Sequence, residues 1–427
     1  MQRAFCLAIA LLMSLSAPGL ARAATKTVTV WSWFVASTMQ KSIAAFEKAH
    51  PDVNVQFTYY NYSPEYLTAL KAAAVSNSLP DLIGLQPGSL TQQYRAQLEP
   101  LNTLASQTWG AQWQDKIFPV NGKQILMGNP SGDDNYYMMP QESQDLVIWY
   151  NTKIFAKLGL PVPKTYDDIV KVAGALATGG YIPMFQGAAD GWQNENVFLM
   201  LADQRAPGLI EQAQRGEANW TSPALVQAME DWRALFTDKV FQEGALGAHA
   251  YPTGAQLFAV GRVGMMALGS WWMQESKFPP PLSPYVQNMD GFDFFYMPAL
   301  KGSDHASPPI GGTDIGYGLT KTGAANPAAW EFLASLANGE ALQPALDDLN
   351  DLPAFKGHVP QGDITPHVRA MYDRFITDLP KAENQRFAVP AIEDALQNAL
   401  SGVAAGSLQP EAALASVQVA TDKALGH

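Results

Sequence analysis

Thr27-Val28-Thr29-Val30-Trp31, the run 37–50, Val53-Asn54-Val55-Gln56-Phe57 and Asp81-Leu82-Ile83-Gly84-Leu85 decide the fold. The first is β-branched and reads as a strand. Residues 37–50 carry Met39, Ile43, Phe46 and Ala49 at helical spacing, and Pro51 ends the run. Val53, Val55 and Phe57 then alternate as a half-buried strand does. Ser63-Pro64, a cap residue followed by a proline suited to a first turn, announces a second helix with Leu67, Leu70 and Ala74 on one face. Asp81 to Leu85 returns to strand. Such alternation predicts an α/β layer with a largely parallel sheet.

The pattern restarts downstream. Leu146 to Tyr150 is a continuous apolar strand, and Thr165-Tyr166-Asp167-Asp168 reads as a capping box opening a helix with Ile169, Val172, Ala173 and Leu176. Ser222-Pro223 opens another, spacing Val226, Met229, Arg233 and Phe236, and the stretches 327–336 and 389–400 are helical in composition. No repeat of 20 to 50 residues, heptad array or low-complexity linker separates the two halves, so two units joined by short crossings are expected. The proline-rich 278–284 is the expected irregular connection.

Ahead of Thr27, Met-Gln-Arg is followed by an apolar run from Ala4 to Leu15 and by small residues up to Ala23, the form of a secretory signal peptide (1–23) cleaved after Ala23. Cys6 is the one cysteine and lies inside that apolar run, so no disulfide and no lipid anchor is expected after processing. The sequence has 27 Lys and Arg, of which Arg3 and Arg22 fall in the leader, against 39 Asp and Glu, a balance of −14 for the remainder. That excess of acid argues against nucleic acid or anionic lipid as a partner. With 47% hydrophobic residues there is material for two cores.

Particular segments carry a further signal: VTVWSWF (28–34), HPDVNVQF (50–57), SLPDLIGL (78–85), LEPL (98–101) and YYMMPQESQDLVIWYNTKIFAKLGL (136–160), then PKTYDDIVKVAGAL (163–176), FAVGRVGMMALGSWW (258–272), GFDFFYMPAL (291–300) and GGTDIGYGLTKTG (311–323). In this order and at these distances they resemble the extracellular solute-binding proteins of carbohydrate ABC importers, the group that includes maltodextrin-binding and glycerol-phosphate-binding proteins. The resemblance implies a two-lobed periplasmic-binding-protein architecture of α/β class, with a hinge and an inter-lobe ligand cleft. It implies crossings near 141–143, 269–272 and 317–321. Lobe one would hold 24–142 and 270–318, and lobe two 143–269 and 319–427. The implied function is a monomeric, non-enzymatic periplasmic carrier that needs no cofactor, closes on a sugar or oligosaccharide and delivers it to the permease's transmembrane subunits.

Ligands of open α/β sheets sit beyond the carboxyl ends of strands. That rule selects Trp31, Trp33 and Phe34 after the first strand, Gln86 after Leu85, Gln141 and Glu142 at the first crossing, Ser270, Trp271 and Trp272 after Leu268, and the turn Gly311, Gly312, Thr313 and Asp314. Sugars present C–H faces ringed by hydroxyls, and Trp with planar amides and carboxylates suits both. Trp192 stands in the polar loop 187–196, where the resemblance implies an aromatic platform, while Asp190 and Asn194 read as turn or cap residues. Trp149, Trp232 and Trp330 sit on strand or helix faces and read as core. Gly311 and Gly312 read either as a tight turn or as a place where backbone N–H approaches a ligand. Asp81 reads as structural, and Asp347, Asp348, Asn350 and Asp351 as a solvated helix end.

Enzymatic readings find little support: the six histidines lack metal-ligand spacing, and no nucleophile elbow, P-loop or dinucleotide fingerprint occurs. A glycosidase would need two carboxylates across the cleft, for which Glu142 and Asp314 are the one pair to nominate. No Lys or Arg stands at the selected strand ends, which favours a neutral ligand over a glycerol phosphate; a polyamine could pair with Glu142, Asp190 and Asp314.

Overall fold

In a computed structural model the described residues are 26–277 and 289–426. The leader and the proline-rich 278–284 lie outside them. Of the second helix's expected cap, the side chains of Ser63 and Pro64 are likewise outside; the segment forms a π-type turn, Tyr62–Tyr66, and the α-helix starts at Leu67.

Two sheets form. The first joins β1 (Lys26–Ser32), β2 (Val53–Tyr59), β3 (Leu82–Leu85), β4 (Met139–Pro140) and β10 (Gly316–Leu319) in the order β2-β1-β3-β10-β4. β1 is parallel to β2 and β3, and β10 runs antiparallel to β3 and β4. The predicted alternation is realised: Val28 and Val30 are fully buried, and the helix Ala36–Ala49 buries Thr38, Met39, Ser42, Ile43 and Phe46 along one stripe. Burying a side chain such as Phe46 contributes about 1.5–3 kcal/mol. Asp81 is structural, clasping β1 to β3 by accepting from Thr29 N (2.8 Å) and Thr29 Oγ1 (2.9 Å).

The second sheet is built around β5 (Glu142–Asn151), long and buried along nearly its whole length, in the order β12-β9-β5-β7-β6. Here β6 is Ile182–Phe185, β7 Val263–Gly269, β8 Phe292–Phe295, β9 Ile310–Thr313, β11 Leu352–Pro353 and β12 Glu383–Asn384. β5 pairs antiparallel with β7, β8, β9 and β11. The capping box at Thr165 is formed, with Thr165 and Asp168 bonding each other's backbone N–H. Trp149, Trp232 and Trp330 pack in cores, each indole N–H donating to Gly269 O (2.8 Å), Leu400 O (3.0 Å) and Thr108 Oγ1 (2.9 Å) respectively.

The chain crosses between lobes at 140–142, where β4 of one sheet runs into β5 of the other, and at 313–316, where β9 gives way to β10. A third crossing follows β11: Ala354 and Phe355 still pack in the first core, whereas Val368 and Met371 pack in the second lobe. These positions correct two of the expected crossings. Residues 269–272 do not cross, because β7 runs to Gly269 inside the second sheet and Trp272 stays buried beside it. The crossing expected at 317–321 lies earlier, since Gly316–Leu319 is already a strand of the first sheet. The lobe assignment changes accordingly. β8 and β9, expected in lobe one, belong to lobe two, and the helices Pro327–Asn338 and Gln343–Leu349, expected in lobe two, complete the core of lobe one.

Candidate functional site

The carboxyl ends of β1, β2 and β3 lie at the same edge as the crossings, because Gly316, the first residue after the second crossing, is paired with Leu85, the last of β3. The carboxyl end of β7 likewise lies next to the start of β5, with Gly269 opposite Leu146. Both lobes therefore present their strand ends to the hinge.

On lobe one these ends carry aromatic rings. Half-buried Trp31 lies 5.3 Å from the Tyr60 ring, and Trp33 packs edge-on against Tyr62 (4.8 Å) and Tyr66 (5.3 Å). Burial lifts the Tyr62 hydroxyl well above its ordinary range, so it stays a proton donor, and it donates to Gln86 Oε1 (2.8 Å).

On lobe two, Trp192 opens the helix Gly191–Arg205 and lies 6.4 Å from the Tyr251 ring and 6.2 Å from that of Trp271; Trp271 Nε1 donates to Tyr251 Oη (3.1 Å). Asp190 and Asn194 hold the turn: Asp190 accepts from Ala250 N (2.7 Å) and pairs with His249 Nδ1 (2.7 Å), and Asn194 donates to Ala188 O (3.0 Å).

Between the two walls runs a polar floor. Gln86 Nε2 donates to Asp314 Oδ1 (3.5 Å), and Gln144, oriented to match its neighbours, donates to the same oxygen (3.2 Å) and accepts from Arg386 Nη2 (3.0 Å). Arg386 also donates to Thr313 O, from Nη2 (2.8 Å) and Nε (3.2 Å), and stands 3.7 Å from Asp314 Oδ1. Burial raises Asp314 above the usual carboxylate range while the Arg386 charge opposes the rise. Arg386 corrects the sequence reading that no cation stands at the site. Its guanidinium is committed to these protein acceptors.

Two further acids sit at the lobe-two side. Glu195 accepts from Gln397 Nε2 (3.0 Å), and Glu393 accepts from Ser89 Oγ (2.6 Å) across the lobes. Burial raises both, and the Glu393 charge adds to the rise at Glu195. Alongside, Ser89 N donates to Phe387 O (2.7 Å), and Gly88 allows that approach because a Cβ there would overlap the same carbonyl. Lys123 Nζ to Glu211 (2.8 Å) is another bond between lobes.

Several nominated residues serve the fold. Phe34 is 4% exposed and lies in the first core, and Trp272 is fully buried against Phe258 and Phe292. Ser270 accepts from Asp145 N (3.3 Å). Gly312 (φ +125°) makes room for the Gln124 amide, and Thr313, fully buried, donates its N–H to Gln124 Oε1 (2.8 Å). Gln141 and Glu142 are buried in the first crossing itself. Glu142 touches Asp351, which is 4% exposed and not part of a solvated helix end. The remaining nominees, Trp31, Trp33, Gln86, Trp192, Trp271 and Asp314, line the two walls and the floor.

Tyr60, Tyr62, Tyr251, Gln144, Glu195, Arg386 and Glu393 were not nominated. Tyr60 and Tyr62 follow β2 as Trp33 follows β1, so the strand-end rule applied to Val53–Phe57 finds them. Arg386 follows a strand of two residues, too short to leave an alternation. Among the described residues no group of three or more His, Cys, Asp or Glu is placed to hold a metal ion, and no helix is long and apolar enough to cross a membrane.

The multiple sugar-binding protein of Streptococcus mutans is 24% identical over 251 residues, covering 57% of this chain and 57% of that protein. The alpha-glucosides-binding periplasmic protein AglE of Rhizobium meliloti is 25% identical over 293 residues, 64% of this chain and 61% of AglE. The matches thus span little more than half the length of these curated relatives. A solved chitin oligosaccharide binding protein superposes with a TM-score of 0.74 at 22% identity, over 94% of this chain and all of its own, a likeness of fold. The family model described as bacterial extracellular solute-binding protein matches residues 35–342, and the chain belongs to that family.

Proposed function

We propose that the chain captures a neutral saccharide between its lobes, leaves it chemically unchanged and presents it to the transmembrane permease of an ABC importer. The observation that carries this reading is the pairing of two aromatic walls, Trp31, Trp33, Tyr60 and Tyr62 on one lobe and Trp192, Tyr251 and Trp271 on the other, over a floor of amides. Rings of this kind cover the C–H faces of a sugar, and Gln86, Gln144 and Asp314 can meet its hydroxyls. Relatives named for sugar and alpha-glucoside binding support the same class. Charge supports neutrality: Arg386 is already engaged by Thr313 O, Asp314 and Gln144, so the described residues of the floor leave no cation over for a buried phosphate, whose uncompensated burial would cost several kcal/mol.

A thermal-shift screen over mono- and oligosaccharides tests it, since a ligand at 100 times its Kd stabilises by about 2.7 kcal/mol. A panel in which no sugar raises the melting temperature, or in which a bound sugar is cleaved, refutes the carrier reading. Calorimetry of the hit at low and high salt tests neutrality; a tenfold loss of affinity refutes it.

A polyamine is the second reading, favoured by Glu195 and Glu393, two carboxyls both close enough to Tyr62 for their charges to bear on its hydroxyl. Polyamines in the same screen decide between them. The carrier acts as a monomer in the periplasm after cleavage behind Ala23; amino-terminal sequencing of the secreted protein and its elution volume check both points.

A further inference from the structure

The first and third crossings meet at a pair of acids. Glu142 opens β5 directly after the first crossing, and Asp351 immediately precedes β11, whose Pro353 lies opposite Glu142 and Leu352 opposite Ser143. Both carboxyls are buried, 2% and 4% exposed, and they are in hydrogen-bond contact with each other. Gln274, in the 3-10 turn that follows β7, donates to Asp351 Oδ1. Glu142 Oε1 and Asp351 Oδ2 have no N–H or O–H donor among the described residues. The other charged or titratable groups facing the pair are Asp314 at the second crossing, Tyr317 of β10 and Tyr372 of the helix Pro366–Asp378. Arg386 is held on Asp314, and Arg369 lies over the Tyr372 ring (5.8 Å). With no base among the described residues to neutralise it, a carboxyl pair in contact is satisfied when one member carries a proton and donates it to the other.

We propose that this shared proton clasps the hinge: while it is present β11 stays on β5 and the lobes hold together, and its loss puts two like charges between the first and third crossings and opens them. The direction in pH follows from burial, which raises Glu142 well above the carboxylate range, with the Asp351 charge the next cause, and raises Asp351 to about 7. Asp351 therefore ionises first, near 7, leaving the shared proton on Glu142, and the clasp is lost on the alkaline side as Glu142 ionises in turn.

Small-angle scattering of the full chain without ligand, at about pH 6 and about pH 9, reads the lobes directly and does not depend on what the cleft binds. The expected result is a larger radius of gyration at the alkaline pH for the unaltered protein, with far-UV circular dichroism unchanged. Glu142→Gln, which keeps the hydrogen bond and cannot ionise, should hold one radius at both pH values; Asp351→Asn makes the same test should the first variant fail to fold. An unaltered protein whose radius is the same at both pH values, or a folded variant that expands as the unaltered protein does, overturns the proposal.

Discussion

Replacing Gly312 with Ala tests how the second crossing is held. Gly312 sits at φ +125°, and a Cβ there would overlap the Gln124 amide. That amide makes three bonds: Nε2 to Gly311 O (2.7 Å), Nε2 to Asn384 Oδ1 (2.9 Å), and Oε1 from Thr313 N (2.8 Å). Forcing Ala into this backbone region costs about 1–3 kcal/mol. Displacing Gln124 forfeits three buried bonds at about 1 kcal/mol each, for a total of about 4–6 kcal/mol. Urea unfolding followed by tryptophan fluorescence measures the difference. A double-mutant cycle sharpens it: Gln124→Ala alone should cost about 3 kcal/mol, and in that background Gly312→Ala should cost only its backbone strain. The overlap is then gone, so the two effects are not additive. A Gly312→Ala protein within about 1 kcal/mol of the unaltered one, or a cycle that closes additively, would refute the reasoning.

The tryptophans separate by role. Trp192→Ala or Trp271→Ala should weaken binding of the ligand found by screening by about 1–4 kcal/mol while the fold survives, read by calorimetry. Trp272→Ala should instead destabilise by about 3–5 kcal/mol, read by thermal melting, because its ring fills space against Phe258 and Phe292. Burial holds Asp145 and Asp203 at about 7, above the usual range. Their contribution to stability is complete near pH 4 and below and is lost as the pH rises through about 7, so melting temperatures should fall from mildly acid to alkaline solution, less steeply in Asp145→Asn. Saturating ligand should not enlarge the radius of gyration and should narrow the spread of lobe orientations; a larger radius would count against closure on the ligand.

How much was legible follows from what each feature needs. The alternation from Thr27 to Leu85, the helix stripe through Met39 and Phe46, and the Thr165 capping box are local patterns, and the structure has them where the sequence put them. Lobe membership is not local. Nothing in GFDFF or IGGT says that their partner is β5 rather than β1, and both were assigned to the wrong lobe. The strand-end rule selects Trp33, Gln86, Trp271 and Asp314 because the strands before them are apolar runs that the sequence announces. It missed Arg386, which hangs on a strand of two residues, and it took Trp272 for a wall residue because adjacent tryptophans after a strand look alike until one turns inward.

Lobe one is written in two pieces, and the second arrives late. β10 lies between β3 and β4, and Ser32 at the end of β1 bonds Tyr317 in β10 from 285 positions away. During synthesis the first sheet therefore stands with a central place empty until nearly three quarters of the polypeptide exists, while β5, β6 and β7 of lobe two are already complete. Closing so long a loop is slow. Refolding should then show a slow phase in which Tyr317 becomes buried.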